Sequence, residues 1–162
     1  LTVSGYDLLN SSSEGLTRFR RNVVGMVFQN FNLLPTLTVF ENVKIPGLLA
    51  GRANAAVHKK ASDLLDWLSM TNRAEHFPGQ LSGGEMQRTA IARSLINDPV
   101  ILLADEPTGN LDSRNGKRVM ELFKEIHRNG EQTIIVATHS TVADDLAIRQ
   151  IRLKDGLLVP DS

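Results

Sequence analysis

Two acidic side chains stand directly after an apolar run, where a sheet protein can place a ligand. The run, VILLA, covers residues 100–104 and is followed by Asp105 and Glu106. A continuous branched run of this length predicts a strand that is buried on both faces of a parallel sheet. Ligands of α/β sheets bind outside the carboxyl ends of the strands. Asp105 and Glu106 are therefore candidates for a ligand site.

A glycine turn followed by a helix is a second candidate. Residues 81–88 read LSGGEMQR, and the pattern after them predicts a helix over residues 86–96. Gly83 and Gly84 lack a Cβ, which lets the backbone approach a ligand, and Ser82 is a good N-cap. The free N–H groups and the positive end of a helix dipole can bind phosphate. The same pattern also fits a glycine turn that only caps a helix.

Polar residues also follow two other predicted strands. The apolar runs at residues 23–28 and 133–138 predict two more buried strands, which end at Gln29 and His139. Between Glu106 and the second run, the stretch GNLD precedes a helix predicted from Asp112 or Ser113 to about residue 129. Strand, helix and strand in this order predict a parallel unit. Taken singly, Gln29 fits a polar strand end, His139 a loop histidine and Asp112 a helix cap.

The remaining pattern is that of a small mixed domain. It predicts a short strand and a turn at residues 1–9, with Gly5 and Asp7 in the turn. Brief helices are predicted at residues 16–21 and before residue 46, and an amphipathic helix over residues 53–70. A hairpin is predicted about Asp155 and Gly156. The 162 residues hold 18 basic and 18 acidic side chains, which argues against a nucleic-acid partner. Cysteine is absent, and no apolar run approaches the roughly 20 residues that span a bilayer.

Four motifs in this order resemble those of the ATP-binding cassette (ABC) ATPases. LSGGEMQR is similar to their signature motif, ILLADEP to their Walker B strand, GNLD to their D-loop and His139 to their switch histidine. Gln29 then resembles the Q-loop glutamine. The resemblance implies a P-loop NTPase-like α/β core, with a parallel sheet between helices and an inserted small helical subdomain.

The resemblance also implies roles for these residues in the hydrolysis of ATP. Asp105 would help to hold Mg²⁺, with Gln29 sensing the metal and the attacking water. Glu106 would act as the general base, and His139 would contact the γ-phosphate. Catalysis would then depend on Glu106, His139 and Gln29 together.

A second set of residues would bind nucleotide in the active site of a partner copy, since the family forms head-to-tail dimers. This set comprises Ser82, Gly83, Gly84, Gln87 and Asp112. No single chain would complete a site. Glu85 departs from the commoner LSGGQ pattern but lies on the helix side of the glycines, so we expect little loss.

One family motif is missing. No G-x-x-x-x-G-K-[ST] loop occurs in the chain, so the resemblance covers only the later part of the family domain. We expect residues 1–30 and 98–162 to form an incomplete ATPase core and residues 31–97 the helical subdomain. A truncated piece, half of a split protein and a degenerate member are the three interpretations, and the first is favoured. By itself the chain is expected to be inactive.

The detail of the motifs resembles the branch of lipoprotein-release, macrolide-export and cell-division ATPases. These work at the cytoplasmic face of the membrane with a permease subunit, for which Leu33, Leu34 and Pro35 are a candidate contact. Packing of the two leucines under the helical subdomain is the alternative. The competing functions are a DNA-repair or ribosome-associated ATPase of the same family and a non-catalytic fragment. The short interval between Gln29 and Ser82 leaves no room for the coiled coil of the repair enzymes.

Overall fold

The computed structural model describes residues 1–130, 132–140 and 147–159. Its helices are α1 (Ser13–Asn22), α2 (Val39–Leu49), α3 (Asn54–Trp67), α4 (Gly83–Leu95) and α5 (Ser113–Gly130). Its strands are β1 (Thr2–Val3), β2 (Tyr6–Asp7), β3 (Val24–Phe28), β4 (Ile101–Asp105), β5 (Thr133–Ala137), β6 (Arg152–Lys154) and β7 (Leu157–Val159). Short 3₁₀ turns lie at Thr71–Arg73 and Pro78–Gln80.

Three parallel strands form the sheet that carries the candidate site. Their order is β3-β4-β5, so the middle strand is the one that ends at the acidic pair. The register places Phe28 beside Asp105 and Asp105 beside Ala137, which aligns the carboxyl ends of the three strands. Helices pack against this sheet. The predicted α/β fold, with the three apolar runs in one parallel sheet, is confirmed.

β5 is less buried than a central strand, and the prediction that it is a buried strand is wrong. Its side chains alternate between exposed and half-buried, and Ile135 is 53% exposed. Among the described residues β5 pairs only with β4, which leaves one of its edges without a partner strand. Burial of a parallel strand depends on layers over both faces as well as on its own composition.

Two helices begin earlier than predicted because a serine side chain caps each of them. α4 begins at Gly83 rather than residue 86, since Ser82 accepts a hydrogen bond from the N–H of Glu85. α1 begins at Ser13 rather than residue 16, and Ser12 caps it through the N–H of Gly15. A cap accepts hydrogen bonds from N–H groups that have no partner in the first turn. The helix can therefore begin several residues before the first apolar residue of its pattern.

The ends of α2 and α3 also differ from the predicted ones. α2 continues through Pro46, because Ala50 donates a backbone hydrogen bond to the Pro46 carbonyl at 3.0 Å. α3 ends at Trp67 rather than residue 70, because Ser69 adopts the left-handed conformation at φ 54°. The N–H of Met70 then reaches back to Leu65, which closes the helix as a glycine usually does.

Two hairpins flank the sheet in sequence. The predicted turn between β6 and β7 is confirmed, with Asp155 and Gly156 both at positive φ. β1 and β2 pair around Ser4 and Gly5, so Asp7 lies in a strand and not in the turn. Its carboxylate instead accepts the N–H of Leu9 at 3.1 Å.

One buried cluster joins the helices of the middle region to the sheet. It includes Val43 of α2, Leu65 of α3, Ile91 of α4, Leu102 of β4 and Phe123 of α5. α4 therefore packs against both α2 and β3, and its N-terminus is held in a fixed place relative to the strand ends. In the part of the chain that the structure describes, no helix is long and apolar enough to cross a membrane.

Candidate active site

The predicted catalytic side chains lie next to one another because their strands are parallel and in register. Gln29 follows β3, Glu106 follows β4, and Thr138 and His139 follow β5. All three strands end at one edge of the sheet, so these residues share that edge. This is the edge at which ligands of α/β sheets bind.

Glu106 is the most constrained of these residues. Its backbone lies in the left-handed region at φ 43°, which costs a residue with a Cβ about 1–3 kcal/mol. Its N–H donates to the carbonyl of Ala137 at 2.8 Å, and its own carbonyl accepts from Gly109 at 3.0 Å. These two bonds hold the sharp turn after β4, which directs the carboxylate toward the end of β5.

The carboxylate of Glu106 accepts three hydrogen bonds from the end of β5. Oε1 lies 2.9 Å from the backbone N of His139 and 2.7 Å from its Nδ1. Oε2 accepts from the hydroxyl of Thr138 at 2.8 Å. Partial burial acts to raise the pKa of Glu106, but the donors from His139 and Thr138 outweigh it and hold the pKa below its ordinary value. The group is therefore an ionised carboxylate at neutral pH, able to accept a proton.

Asp105 stands apart from this hydrogen-bonded group. Its side chain is exposed at the end of β4, and no described residue hydrogen-bonds to its carboxylate. No cluster of three or more His, Cys, Asp or Glu with metal-binding geometry occurs among the described residues. A carboxylate with free oxygens suits Mg²⁺, which binds oxygen and keeps water or phosphate as its other ligands. Asp105 could thus bind a cation whose other ligands come from water and from a phosphate substrate.

Gln29 contacts the loop that follows Glu106. Asn110 donates from its side-chain amide to the carbonyl of Gln29 at 3.1 Å and to Oδ1 of Asn30 at 2.9 Å. A Cβ at Gly109 would lie 2.6 Å from Nε2 of Gln29, so a larger residue there would displace the Gln29 side chain. The ends of β3 and β4 are therefore tied together through residues 109–110.

Ser82 and Glu85 form a reciprocal cap at the start of α4. The hydroxyl of Ser82 accepts from the N–H of Glu85 at 3.3 Å, while Glu85 Oε2 accepts from the Ser82 N–H at 2.8 Å. Arg73 Nε donates to Glu85 Oε1 at 2.8 Å. The hydrogen bond from Arg73, followed by those from Ser82, lowers the pKa of Glu85 to about 2. The acid at this position therefore supports the helix start that carries the two glycines.

The two glycines of α4 approach the start of α5. A Cβ at Gly83 would lie 3.3 Å from the Leu111 side chain, and one at Gly84 would lie 2.9 Å from Oδ1 of Asn115. Asn115 is held in turn by Asp112, whose carboxylate accepts from its backbone N–H and its side-chain amide, both at 2.8 Å. Asp112 therefore caps α5, as its helix-cap interpretation expected.

Gln87 requires a correction. It was expected among the nucleotide-binding residues, but its side chain is completely buried. Its Nε2 donates to the carbonyl of Pro107 at 2.8 Å, directly after Glu106. In this conformation Gln87 cannot contact a nucleotide, and it instead fixes the loop after β4 to α4. Sequence reasoning missed this because a glutamine on a helix gives no signal of what covers it.

Ser82 of the signature-like motif and the carboxylate of Glu106 have separate hydrogen-bond partners. Among the described residues, no hydrogen bond joins Ser82 to Glu106 or His139. Sequence reasoning also missed Thr138 and Asn110, both of which bond to predicted site residues. The one signal in the sequence is position, because Thr138 directly precedes His139 and Asn110 lies within GNLD.

The predicted partner contact forms the outer part of the loop between β3 and α2. Leu34 is 47% exposed and Pro35 is exposed, whereas Leu33 is half-buried. The loop thus presents apolar side chains to solvent near the end of β3. This is the exposure that a docking surface needs.

Comparison with known families identifies the class of protein. Residues 3–109 match the family model described as ABC transporter. The chain belongs to this family.

Individual relatives agree with the family match. An uncharacterized ABC transporter ATP-binding protein of Mycobacterium tuberculosis is 44% identical over 99% of this chain and 64% of the relative. The macrolide export ATP-binding/permease protein MacB of Brucella melitensis is 44% identical over 99% of the chain and 25% of its own length. The lipoprotein-releasing system ATP-binding protein LolD of Treponema pallidum is 42% identical over 97% of the chain and 70% of its own length. The chain therefore spans less than two thirds of the first of these relatives.

A solved structure shares the fold. The dimeric ATP-binding cassette MJ0796, bound to ADP and Pi in a post-hydrolysis state, superposes with a TM-score of 0.83 at 39% identity. The match covers 95% of this chain and 68% of that one. The predicted resemblance to the lipoprotein-release and macrolide-export branch is confirmed at the level of these relatives.

Proposed function

We propose that this chain is part of an ATP-hydrolysing subunit that powers export, or extraction from the membrane, of a substrate handled by a separate membrane permease. One observation carries the proposal. Gln29, Glu106 and His139 follow three adjacent parallel strands that end in register, and Glu106 is bonded to His139. This is the arrangement that hydrolysis of a phosphoanhydride needs, because catalysis there is mostly positioning and charge stabilisation.

Glu106 acts as the general base in this proposal. It is ionised and is positioned by the donors of His139 and Thr138, so it can take a proton from water as the oxygen attacks the γ-phosphorus. His139 lies against Glu106 on the exposed side of the strand end, where its imidazole can donate to a γ-phosphate oxygen. Gln29 orients the same water from the end of β3.

Mg²⁺, when bound, would neutralise charge on the phosphates, and Asp105 with Gln29 are the side chains that would hold it. The free, exposed carboxylate of Asp105 supports this assignment. The Glu106 carboxylate is instead hydrogen-bonded to the end of β5, which supports a role for Glu106 as the base and for Asp105 as the metal ligand.

The nucleotide is proposed to lie between two copies. Ser82, Gly83, Gly84 and Asp112 sit where the N-termini of α4 and α5 meet, and none of them hydrogen-bonds to Glu106 in the same chain. A second copy facing the strand ends would supply these N–H groups to the γ-phosphate. The chain has no phosphate-binding loop motif, so the proposal places that loop outside these 162 residues.

The membrane permease subunit is proposed to dock on Leu33, Leu34 and Pro35. Their apolar exposure and their position just after Gln29 support this. The protein would then be a peripheral subunit at the cytoplasmic face of the membrane.

The test uses the full-length ATPase and the variant Glu106→Gln, with Glu14→Gln as the control at an exposed acid on α1. Phosphate release should fall by about 10²–10⁴ because a carboxamide is a poor base. ATP binding, measured by filter binding, should remain, and the dimer should persist in ATP. Turnover of Glu106→Gln equal to that of Glu14→Gln would contradict the proposal.

A further inference from the structure

The loop between β3 and α2 adopts an unfavourable backbone conformation at two successive residues. Phe31 has φ 61° and Asn32 has φ 48°, both in the left-handed region. Neither is glycine, and left-handed residues with a Cβ usually occur singly. The N–H of Phe31 bonds to the carbonyl of Phe28 at 3.2 Å and that of Asn32 to the carbonyl of Asn30 at 2.6 Å, and groups outside the loop add further support.

Arg93 of α4 supplies one such group. Its guanidinium donates to the carbonyl of Phe31 at 2.8 Å and also to the carbonyl of Asn32. Among the described residues the Arg93 guanidinium has no carboxylate partner, and its hydrogen bonds go to backbone carbonyl oxygens. The two carbonyls belong to the two left-handed residues themselves. A guanidinium presents N–H groups on two nitrogens in one plane, so Nη1 and Nη2 of Arg93 can each reach one of the carbonyls.

Asn42 of α2 holds the next part of the loop. The side chain is 1% exposed, accepts the N–H of Leu34 at 2.8 Å, and donates to the carbonyls of Leu34 at 3.1 Å and Leu37 at 3.0 Å. The segment that carries the exposed apolar surface is thus held at two places. Arg93 fastens its beginning to α4, and Asn42 fastens its middle to α2.

We infer that Arg93 is a positioning residue that fastens the Leu33–Leu34–Pro35 loop to α4, so that the loop and the helix beginning at Gly83 move as one body. The inference rests on the proposed function, in which the start of α4 meets nucleotide and the loop meets the permease. A displacement of α4 would then reach the docking surface through two hydrogen bonds.

The geometry separates this role from simple packing. α4 already contacts α2 and α3 through buried apolar side chains, including Ile91 and Leu95. That packing stabilises the helix whether or not Arg93 is present. The guanidinium adds only the link to the loop, so its loss should release the loop and leave the helices in place.

The test is amide hydrogen exchange in the full-length ATPase, read by mass spectrometry of peptides covering residues 31–37. Arg93→Gln and Arg93→Lys remove the two-pronged contact. Arg52→Gln is the matched control, because the Arg52 guanidinium also serves backbone carbonyls, those of Ile96 and Asn97, at the far end of α4.

Arg93→Gln and Arg93→Lys should each speed exchange of residues 31–37 about tenfold or more, while peptides of α3 stay unchanged. Arg52→Gln should leave residues 31–37 as they are. Exchange in Arg93→Gln within about twofold of the unmodified protein would overturn the inference. Equal acceleration in α3 would also overturn it, since that outcome means general destabilisation.

A second readout separates this inference from the proposed function. ATP should alter exchange at residues 31–37 in the unmodified protein but not in Arg93→Gln, although both hydrolyse ATP at the same rate without a partner. If ATP still alters exchange at residues 31–37 in Arg93→Gln, the hydrogen bonds of Arg93 do not transmit the effect of ATP to the loop. If the unmodified protein neither binds nor hydrolyses ATP, the proposed function fails, and the exchange measured without nucleotide still decides the role of Arg93.

Discussion

Glu106 and His139 meet twice: one oxygen of the Glu106 carboxylate lies 2.9 Å from the backbone N of His139 and 2.7 Å from its ring Nδ1. The backbone contact persists whatever side chain stands at position 139. The ring contact depends on histidine. Substitution of His139 therefore tests the role of the imidazole while the backbone hydrogen bond to the Glu106 carboxylate remains.

His139→Ala in the full-length ATPase should lower kcat by about 10²–10⁴, since it removes a donor from the reacting phosphate. The pKa of Glu106 should also rise, because a hydrogen bond that favours its ionised form is lost. The acid limb of the pH–rate profile should therefore move to higher pH. A profile and a rate equal to those of the unmodified enzyme would remove His139 from the site.

Gly84→Ala should destabilise the protein, although alanine usually favours a helix. The new Cβ would lie 2.9 Å from Oδ1 of Asn115, which cannot turn aside without losing its bond to Asp112. Overpacking of this kind costs about 1–3 kcal/mol, which equals or exceeds the roughly 1 kcal/mol that alanine gains over glycine in a helix.

Urea unfolding measures this effect, with Gly79→Ala as the control because a Cβ there meets nothing within 4 Å. In a double-mutant cycle, Asn115→Ala should recover part of the loss caused by Gly84→Ala. Additive losses in the cycle would show that Asn115 is not the obstacle.

The strand ends and the motif residues could be predicted from the sequence, because a buried parallel strand is a continuous apolar run. The apolar residues 100–104 marked β4, and Asp105 and Glu106 followed from that. Gln87 could not be placed correctly, since its burial depends on the loop at Pro107 packing over it. The contacts of Thr138 and Arg93 also join distant parts of the chain, and no local pattern reports them. The composition of β5 predicts a buried strand, but composition does not reveal what covers a strand.

Glu85→Gln should lower the free energy of unfolding at neutral pH and have little effect in acid. The pKa of Glu85 is about 2 in the folded protein against 4.5 ordinarily, so its charge stabilises the fold above pH 4.5. That contribution is lost as pH falls from 4.5 toward 2. Urea unfolding of both proteins between pH 7 and pH 3 should show the difference shrinking. A difference that grew on acidification would contradict the assignment.

Leu34→Glu should abolish co-purification with the permease subunit and the increase in ATP turnover that the permease causes. The reason is that a charge replaces an exposed apolar anchor, and loss of such an anchor often costs about 2 kcal/mol or more of binding. Basal turnover should persist. Leu48→Glu is the control, since Leu48 on α2 is 43% exposed against 47% for Leu34. If Leu34 only packs under the helices, the variant will instead melt at a lower temperature and still bind the permease.

Within residues 1–130, 132–140 and 147–159, one side of β5 has no partner strand, and this bears on how the 162 residues behave when they are expressed by themselves. A strand whose outer N–H and C=O groups lack a partner can template pairing with strands of other molecules. Ile135, half in solvent on the same strand, adds an apolar surface to that template. Self-association of the isolated polypeptide should therefore rise with protein concentration, and the unpaired side of β5 is one place where strands of two molecules could pair.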